Sequence, residues 1–383
     1  MSVTAPAGFR AAGVAAGLKS SGDPDVALVV NDGPDDAAAA VFTTNRFPAA
    51  PVQWSRQVLQ TGRLKAVVLN SGGANACTGP AGFGDTHATA EHVAAELGIG
   101  AVDVAVASTG LIGVRLPMDR LLPGVTAAAG ELSADGGTAA ARAIMTTDTV
   151  PKTTVQSGAG WTVGGMAKGA GMLAPSLATM LVVLTTDAVV DPAVLQRALA
   201  AATSVSVERV DSDGCLSTND TVIAMANGAS GVTPSEAELT AALTAAATDL
   251  AMQLLADAEG STKDIAITVR NAATVRDALT AGRACARNNL LKTALFGNDP
   301  NWGRVLAAIG TTDAAFEADQ VDVTINGVTV CRGGAIGDPR EGVDLTGREI
   351  TIDVDLKAGT EQATIWTNDL SIAYVHENSA YST

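Results

Sequence analysis

Few of the residues that usually carry chemistry are available to this chain. It contains three histidines, His87, His92 and His376, and none stands in an HExxH or other metal-ligand spacing. The four cysteines, Cys77, Cys215, Cys285 and Cys331, are far apart and form no CxxC, so neither a zinc site nor a disulfide framework is indicated. No GxSxG elbow and no GxxxxGK(S/T) loop occurs. Gly169-Ala170-Gly171 lacks the third glycine of a dinucleotide fingerprint. An enzyme short of imidazole can take its base from a new chain end. An α-amino group titrates at about 7.7–8.0, close to working pH. On a threonine it lies within reach of the residue's own hydroxyl, which is the N-terminal form of an activated nucleophile. Such a chain must first cut itself, at a tight site with a small residue before the threonine and oxyanion donors nearby.

One segment has that character. Lys168 to Leu181 reads KGAGMLAPSLATML, with a glycine pair, a proline that biases its neighbour to extended geometry, and a small Ala178 before Thr179. Apolar residues follow from Met180 to Leu184. Residue chemistry alone also allows a plainer reading, a Gly-Pro loop entering a buried strand with Thr179 as an ordinary β-branched residue.

The elements that must position these residues alternate between strand and helix. Ala27 to Val30, Ala39 to Thr43, Leu64 to Asn70, Val102 to Ser108, stretches of Thr153 to Gly165, and Met180 to Thr185 read as strands. Asp85 to Leu97 reads as a helix capped by Asp85, and Leu116 to Ile144 as helix broken near Pro123 and at Gly136-Gly137. Asp191-Pro192 and Thr233-Pro234 each open a helix, the second a long one ending near Gly260. Ile265 to Val269 is a strand, Val275 to Leu295 helical, and Val321 to Val330 a hairpin around Asn326-Gly327. Ile350 to Leu356 and Ala363 to Thr367 add strands. Strands and helices mix without a strict βαβ repeat, which predicts an α/β or layered α+β architecture.

Composition closes off other classes. The 383 residues suggest two or three domains or one large one, and at 47% apolar and 3% aromatic the core must be built from Ala, Val, Leu and Gly. The net charge of −16 argues against coating nucleic acid or docking on anionic lipid. No run approaches the roughly 18 apolar residues of a membrane span, and Met1 to Arg10 has no secretory pattern. A reduced, cytoplasmic compartment is expected.

KGAGMLAPSLATML resembles the cleavage and nucleophile signature of the glutamate/ornithine N-acetyltransferase family of arginine biosynthesis. So do NSGGANACTG from Asn70, STGLIG from Ser108, MTTD from Met145, STNDT from Ser217, ADAEG from Ala256, KTALFGNDPNWGR from Lys292 and the closing HENSAYST. These stretches span nearly the whole chain in the family's order. Ser176-Leu177 departs from the frequent Asn-Met, while Ala178 and Thr179 are intact.

The resemblance implies a DmpA/ornithine-acetyltransferase-like αββα sandwich with a smaller C-terminal α/β part. It implies cleavage between Ala178 and Thr179 into chains 1–178 and 179–383, with about 280–383 forming the smaller lobe. Thr179 is then the nucleophile and Thr109 with Gly110 the oxyanion hole. Thr146, Lys168, Thr179, Glu259, Asn378 and Thr383 bind substrate. Lys168 would meet a carboxylate and lower the pKa of the Thr179 amine by like charge, and Glu259 would take the ornithine ammonium. Asn301, Trp302 and Arg304 are expected to be structural, and Gly72-Gly73 to form a backbone turn near the site. The implied reaction is ping-pong transfer of acetyl from N2-acetyl-L-ornithine to L-glutamate. No metal or resident cofactor is implied, and acetyl-CoA enters only as the substrate of a second activity found in some members. The expected assembly is a heterotetramer with two copies of each fragment. Two rivals stay open: a self-cleaving aminopeptidase or amidase, and a non-cleaving binding protein of the same fold.

Overall fold

The computed structural model describes residues 2–172, 174 and 180–380. In chain order its first strands are β1 (Phe9–Val14), β2 (Val26–Asn31), β3 (Ala37–Phe42), β4 (Ala66–Asn70) and β5 (Val104–Ser108). β6 (Lys152–Ser157), β7 (Thr162–Lys168), β8 (Leu181–Thr186) and β9 (Thr221–Ala226) follow. β1, β2, β4 and β5 form one sheet in that order. β3 leaves it for a second sheet, ordered β3-β9-β8-β7-β6, in which only the β8–β9 pair is parallel.

Every residue of β2, β4, β5, β8 and β9 is buried. A strand buried along its whole length needs cover on both faces. Each sheet covers one face of the other: Met166, Leu181, Val183, Ile223 and Met225 of the second sheet share a core with Val26 to Val30 and Ala66 to Leu69 of the first. Helices supply the outer cover. α1 (Ala50–Val58), α2 (Gly79–Leu97), α3 (Met118–Gly130) and α4 (Gly137–Ala143) accompany the first sheet, and α5 (Pro192–Ser204) and α6 (Glu236–Ala256) pack on the second. The result is the expected αββα sandwich.

Local signals account for most element ends. Asp191 caps α5, accepting from the Ala193 and Val194 amides at 2.8 and 3.4 Å. α6 starts later than Thr233-Pro234 suggests, because Ser235 and Glu238 form a reciprocal capping box. α2 starts at Gly79 rather than at Asp85, whose buried carboxylate holds Arg115 at 2.6 Å instead of capping. α3 runs through Pro123, which forfeits one backbone hydrogen bond. β1 (FRAAGV) and β9 (TVIAMA) were not legible as strands; alanine and glycine dilute their strand propensity. α6 is, by length and composition, apolar enough to cross a membrane, contrary to the expectation that no segment is. Its Leu239, Leu243, Leu250 and Leu254 are buried in the core shared with the second sheet.

The remaining chain builds a third sheet with its own core. Its elements are β10 (Asp264–Ala272), α7 (Val275–Ala286), α8 (Asn289–Phe296), α9 (Trp302–Ile309), β11 (Asp322–Ile325), β12 (Val328–Arg332), β13 (Ala335–Ile336), β14 (Glu349–Asp355), β15 (Glu361–Asn368) and the closing α10 (Ile372–Ala380). The predicted helix 275–295 is divided by Asn288, whose side chain caps α8. Asn326 and Gly327 both have positive φ, as a two-residue hairpin turn needs. Burial alternates along β10 and β14, so only one face of this sheet is packed. The lobe begins at Asp264, earlier than the expected edge near residue 280. The reason is that β10 lies inside the sheet, between β14 and β15.

β5 is an edge strand of the first sheet, and α1 seals it with side chains. Ser55 Oγ donates to Val106 O at 2.7 Å and accepts from Val106 N–H at 2.8 Å, and Trp54 Nε1 donates to Val104 O at 3.0 Å. Ser55→Ala therefore leaves a buried donor and a buried acceptor of β5 unpaired. We expect a loss of about 1–3 kcal/mol in urea unfolding with an unchanged m-value.

Candidate active site

The site is built where β5 ends. The Thr109 amide donates to Asn70 O at 2.9 Å and its carbonyl accepts from Gly73 N–H at 3.0 Å, which extends the β4–β5 pairing and anchors the Gly72-Gly73 turn. The Thr109 amide is therefore spent, which narrows the expected oxyanion donors to the Thr109 hydroxyl and the Gly110 amide. That amide meets no acceptor among the described residues. Gly110 has φ +132°, and a Cβ there would lie 2.8 Å from Gly73 N, so only glycine fits. Asn219 clamps the same corner, donating to Ala74 O at 2.6 Å and Ser108 O at 2.7 Å.

Lys168, the last residue of β7, reaches this corner from the second sheet. Its Nζ donates to the Thr109 hydroxyl oxygen at 3.3 Å. That oxygen's lone pair is then occupied, and its own hydrogen is free to donate outward. Lys168 is 2% exposed, not a solvated loop lysine. Burial lowers its pKa; Asp148, Asp220 and Glu259 oppose the shift and Lys152 adds to it.

Asp148 holds this arrangement together. Its Oδ1 accepts from Lys152 Nζ at 2.6 Å and from the Gly169 amide at 2.7 Å, and its Oδ2 from the Thr146 amide at 3.0 Å. Its pKa stays below the usual carboxylate value although burial acts to raise it, because Lys168 and Lys152 stand beside it. Lys152 Nζ also donates to Asp257 at 2.6 Å, at the C-cap of α6. Two residues on, Glu259 turns inward; its amide donates to Ala170 O at 3.0 Å. A Cβ on Gly171 would sit 2.6 Å from its Oε2, so glycine lets backbone and carboxylate meet. Thr147, rather than Thr146, reaches Glu259, donating from Oγ1 to Oε1 at 2.7 Å.

The structure thus brings together Thr109, Gly110, Lys168 and Glu259, with Thr146 joined through its amide to Asp148. Asn378 lies exposed on α10 and donates to Tyr374 O at 3.1 Å within the helix. Ala178, Thr179 and Thr383 lie outside the described residues. Asn301 and Arg304 make local contacts, with Asp299 and Leu290 O. Sequence reasoning missed Asp148, Lys152, Asp257, Asp220 and Asn219. MTTD, STNDT and ADAEG pointed to four of them, but as motifs, without roles for those side chains; Lys152 lies in none. A surface cleft of about 680 Å³ between Arg46 and Phe83 contains none of these groups.

A second, smaller cleft of about 60 Å³ opens beside Glu259 and is lined by Ser212, Arg287, Lys292, Asp369 and Tyr374 among others. Lys292 is buried there, donating to Ser212 O and, at 3.1 Å, to Thr367 Oγ1. Burial pulls its pKa down to about 8.

The sandwich gathers hydroxyl, amide and lysine donors into one buried cluster, a donor set suited to an enzyme that stabilises an oxyanion in acyl transfer. Comparison with known proteins agrees. Residues 10–383 match the ArgJ family model. The chain is 64% identical over 383 residues, all of both chains, to the arginine biosynthesis bifunctional protein ArgJ of Thermobifida fusca. It is 65% identical over 382 residues, again covering both in full, to that of Streptomyces coelicolor. Among solved structures, ornithine acetyltransferase complexed with ornithine from Mycobacterium tuberculosis is 64% identical, covering 47% of this chain and 96% of that one, with a TM-score of 0.45. The arginine biosynthesis bifunctional protein from Bacillus halodurans is 33% identical, covering 51% and 97%, with a TM-score of 0.49. The chain belongs to the ArgJ family.

Lys292 yields a test. Between about pH 8 and its ordinary 10.5, the unfolded chain binds a proton that the folded chain has released. Unfolding free energy should therefore rise with pH across that window. The Lys292 Cε resonance is expected to titrate with its midpoint at about 8, and Lys292→Met to flatten the rise.

Proposed function

We propose that the chain cuts itself between Ala178 and Thr179 and then transfers acetyl from N2-acetyl-L-ornithine to L-glutamate through an acetyl-Thr179 intermediate. The observation that carries this reading is the convergence of Lys168, the Thr109 hydroxyl and the Gly110 amide at the corner where β8 begins. Lys168 and Leu181 are register partners across β7 and β8, and residue 179 lies two positions before Leu181.

In the cutting step the Thr179 hydroxyl attacks the Ala178 carbonyl carbon, and the Thr179 nitrogen leaves carrying the proton the hydroxyl gives up. Water then hydrolyses the ester. In turnover the amine so formed takes the hydroxyl proton as Thr179 attacks the acetyl carbonyl of N-acetylornithine. Thr109 and Gly110 donate to the oxyanion, and the proton goes on to the departing ornithine nitrogen. The glutamate amine attacks acetyl-Thr179 by the reverse path. Lys168 supplies the positive charge that an amino-acid carboxylate needs, and Glu259 a carboxylate for the ornithine side-chain ammonium. Use of acetyl-CoA as a second donor, the substrate roles of Thr146, Asn378 and Thr383, and an assembly of two copies of each fragment belong to the same proposal. Both fragments share the second sheet, so they would remain associated.

The test is a denaturing gel with N-terminal sequencing. The wild-type chain is expected to give pieces of 178 and 205 residues, the second beginning Thr179-Met180-Leu181, and Thr179→Ala to stay whole. An uncut wild type would refute the reading. In the cut enzyme, ornithine release from N-acetylornithine should depend on glutamate; release into water alone would mark a hydrolase. Thr109→Val should lower kcat about 10²–10³-fold, the usual effect of losing one oxyanion donor.

A further inference from the structure

We propose that Lys292 sets specificity for the acceptor amino acid: it receives the side-chain carboxylate of glutamate at one end of a cleft whose other end, Glu259, receives the side-chain ammonium of ornithine. This deepens the reading given above and rests on it. A ping-pong enzyme takes both amino acids in turn at one nucleophile. Their side chains reach about equally far but end in opposite charges. Glu259 alone would attract one and repel the other. The site therefore needs a cation close to Glu259.

The cleft of about 60 Å³ beside Glu259 supplies one. Glu259 follows α6 of the sandwich, and Lys292 stands on α8 of the C-terminal lobe, so the two reach the cleft from different cores. The space suits the end of one side chain. Lys292 is 4% exposed. Of the hydrogens on its ammonium, one goes to Ser212 O and one to Thr367 Oγ1, and the last meets no acceptor among the described residues. No carboxylate among those residues stands within ion-pair distance of it. Buried cations are normally paired, so one lining a cleft without a counter-ion points to an anionic ligand.

The acids nearby are engaged with other donors. Asp211 pairs with Arg287 at 2.8 Å. Asp369 accepts from the Thr262 and Lys263 amides at 2.8 and 2.9 Å and from Thr262 Oγ1 at 2.6 Å. Asp213 accepts from the Cys215 amide at 3.0 Å. These three raise the proton affinity of Lys292 from a distance, and burial outweighs them. Half-exposed Arg287 adds positive charge at the rim, beside Tyr374.

The test compares L-glutamate with L-glutamine, which has the same shape and no side-chain charge, as acceptors of the acetyl group. Lys292→Met should lower the ratio of their kcat/KM values by roughly tenfold or more, through a raised KM for glutamate, and leave KM for N-acetylornithine within about threefold of wild type. Lys292→Gln, which keeps a donor at this position, is read in the same way if the methionine variant does not fold. A folded variant with the wild-type ratio would overturn the proposal. So would KM values for glutamate and N-acetylornithine that rise together, which would mark Lys292 as structural. The wild type gives an independent measurement: L-glutamate should move the midpoint of the Lys292 Cε titration upward from about 8, and L-glutamine should leave it in place. A midpoint that glutamate does not move would also count against the proposal. Failure of the underlying reading shows separately, as a wild type that stays uncut or transfers acetyl to neither acceptor; the titration then still decides whether Lys292 meets the carboxylate.

Discussion

A positive charge at the end of a strand that water does not reach must be answered, and much of this molecule is arranged to answer Lys168. Asp148 stands beside it, Lys152 pairs with Asp148, and Asp257 pairs with Lys152 in turn. Every member is nine-tenths or more buried at its side chain, so the cost of desolvation is met only by the neighbours. This alternation of charge joins three distant pieces of chain: the segment 146–152, the turn after β7, and the end of α6. Glu259 arrives with that same helix end, two residues past Asp257. The acidic balance of the whole protein says little about such a site, because its local charges nearly cancel.

The second sheet sets the other condition. β3, β6 and β7 precede residue 179 and β8 and β9 follow it, yet all five lie in one ladder. Backbone hydrogen bonds between β7 and β8, and between β3 and β9, hold the sheet across that point. Opening one peptide bond at the start of a central strand leaves those ladders in place. The cut proposed above would therefore leave the sheet paired, with Met180 still held by Asp220 and Thr221.

Parts of the fold could be read from local pattern. The buried runs of β2, β4 and β8, the Asp191-Pro192 cap and the Asn326-Gly327 turn each declare themselves within a few residues. β1 and β9 did not, because alanine-rich segments become strands through the neighbours they pair with rather than through propensity. The closing α10 was likewise unread, as was the position of β10 inside the third sheet. In the site, Thr109, Gly110, Lys168 and Glu259 were named through family resemblance, and the structure gathers them. Knowing which donors of Thr109 and Gly110 are available needed the fold: only the β4–β5 register shows that Asn70 consumes the Thr109 amide.

The sequence by itself determined that this is a mixed α/β chain of the ArgJ family, and it pointed to a threonine in a glycine-bounded segment, rather than to histidine, as the place to look for its chemistry. Those conclusions rest on local order, which one strand, cap or motif can carry. The tertiary structure alone decided which ionisable groups share a low-dielectric space. Lys152 and Asp257 stand 105 positions apart, and Met180 and Asp220 stand 40 apart. Which partner a buried charge finds depends on how strands align and where helices end, and no short stretch of sequence contains that information.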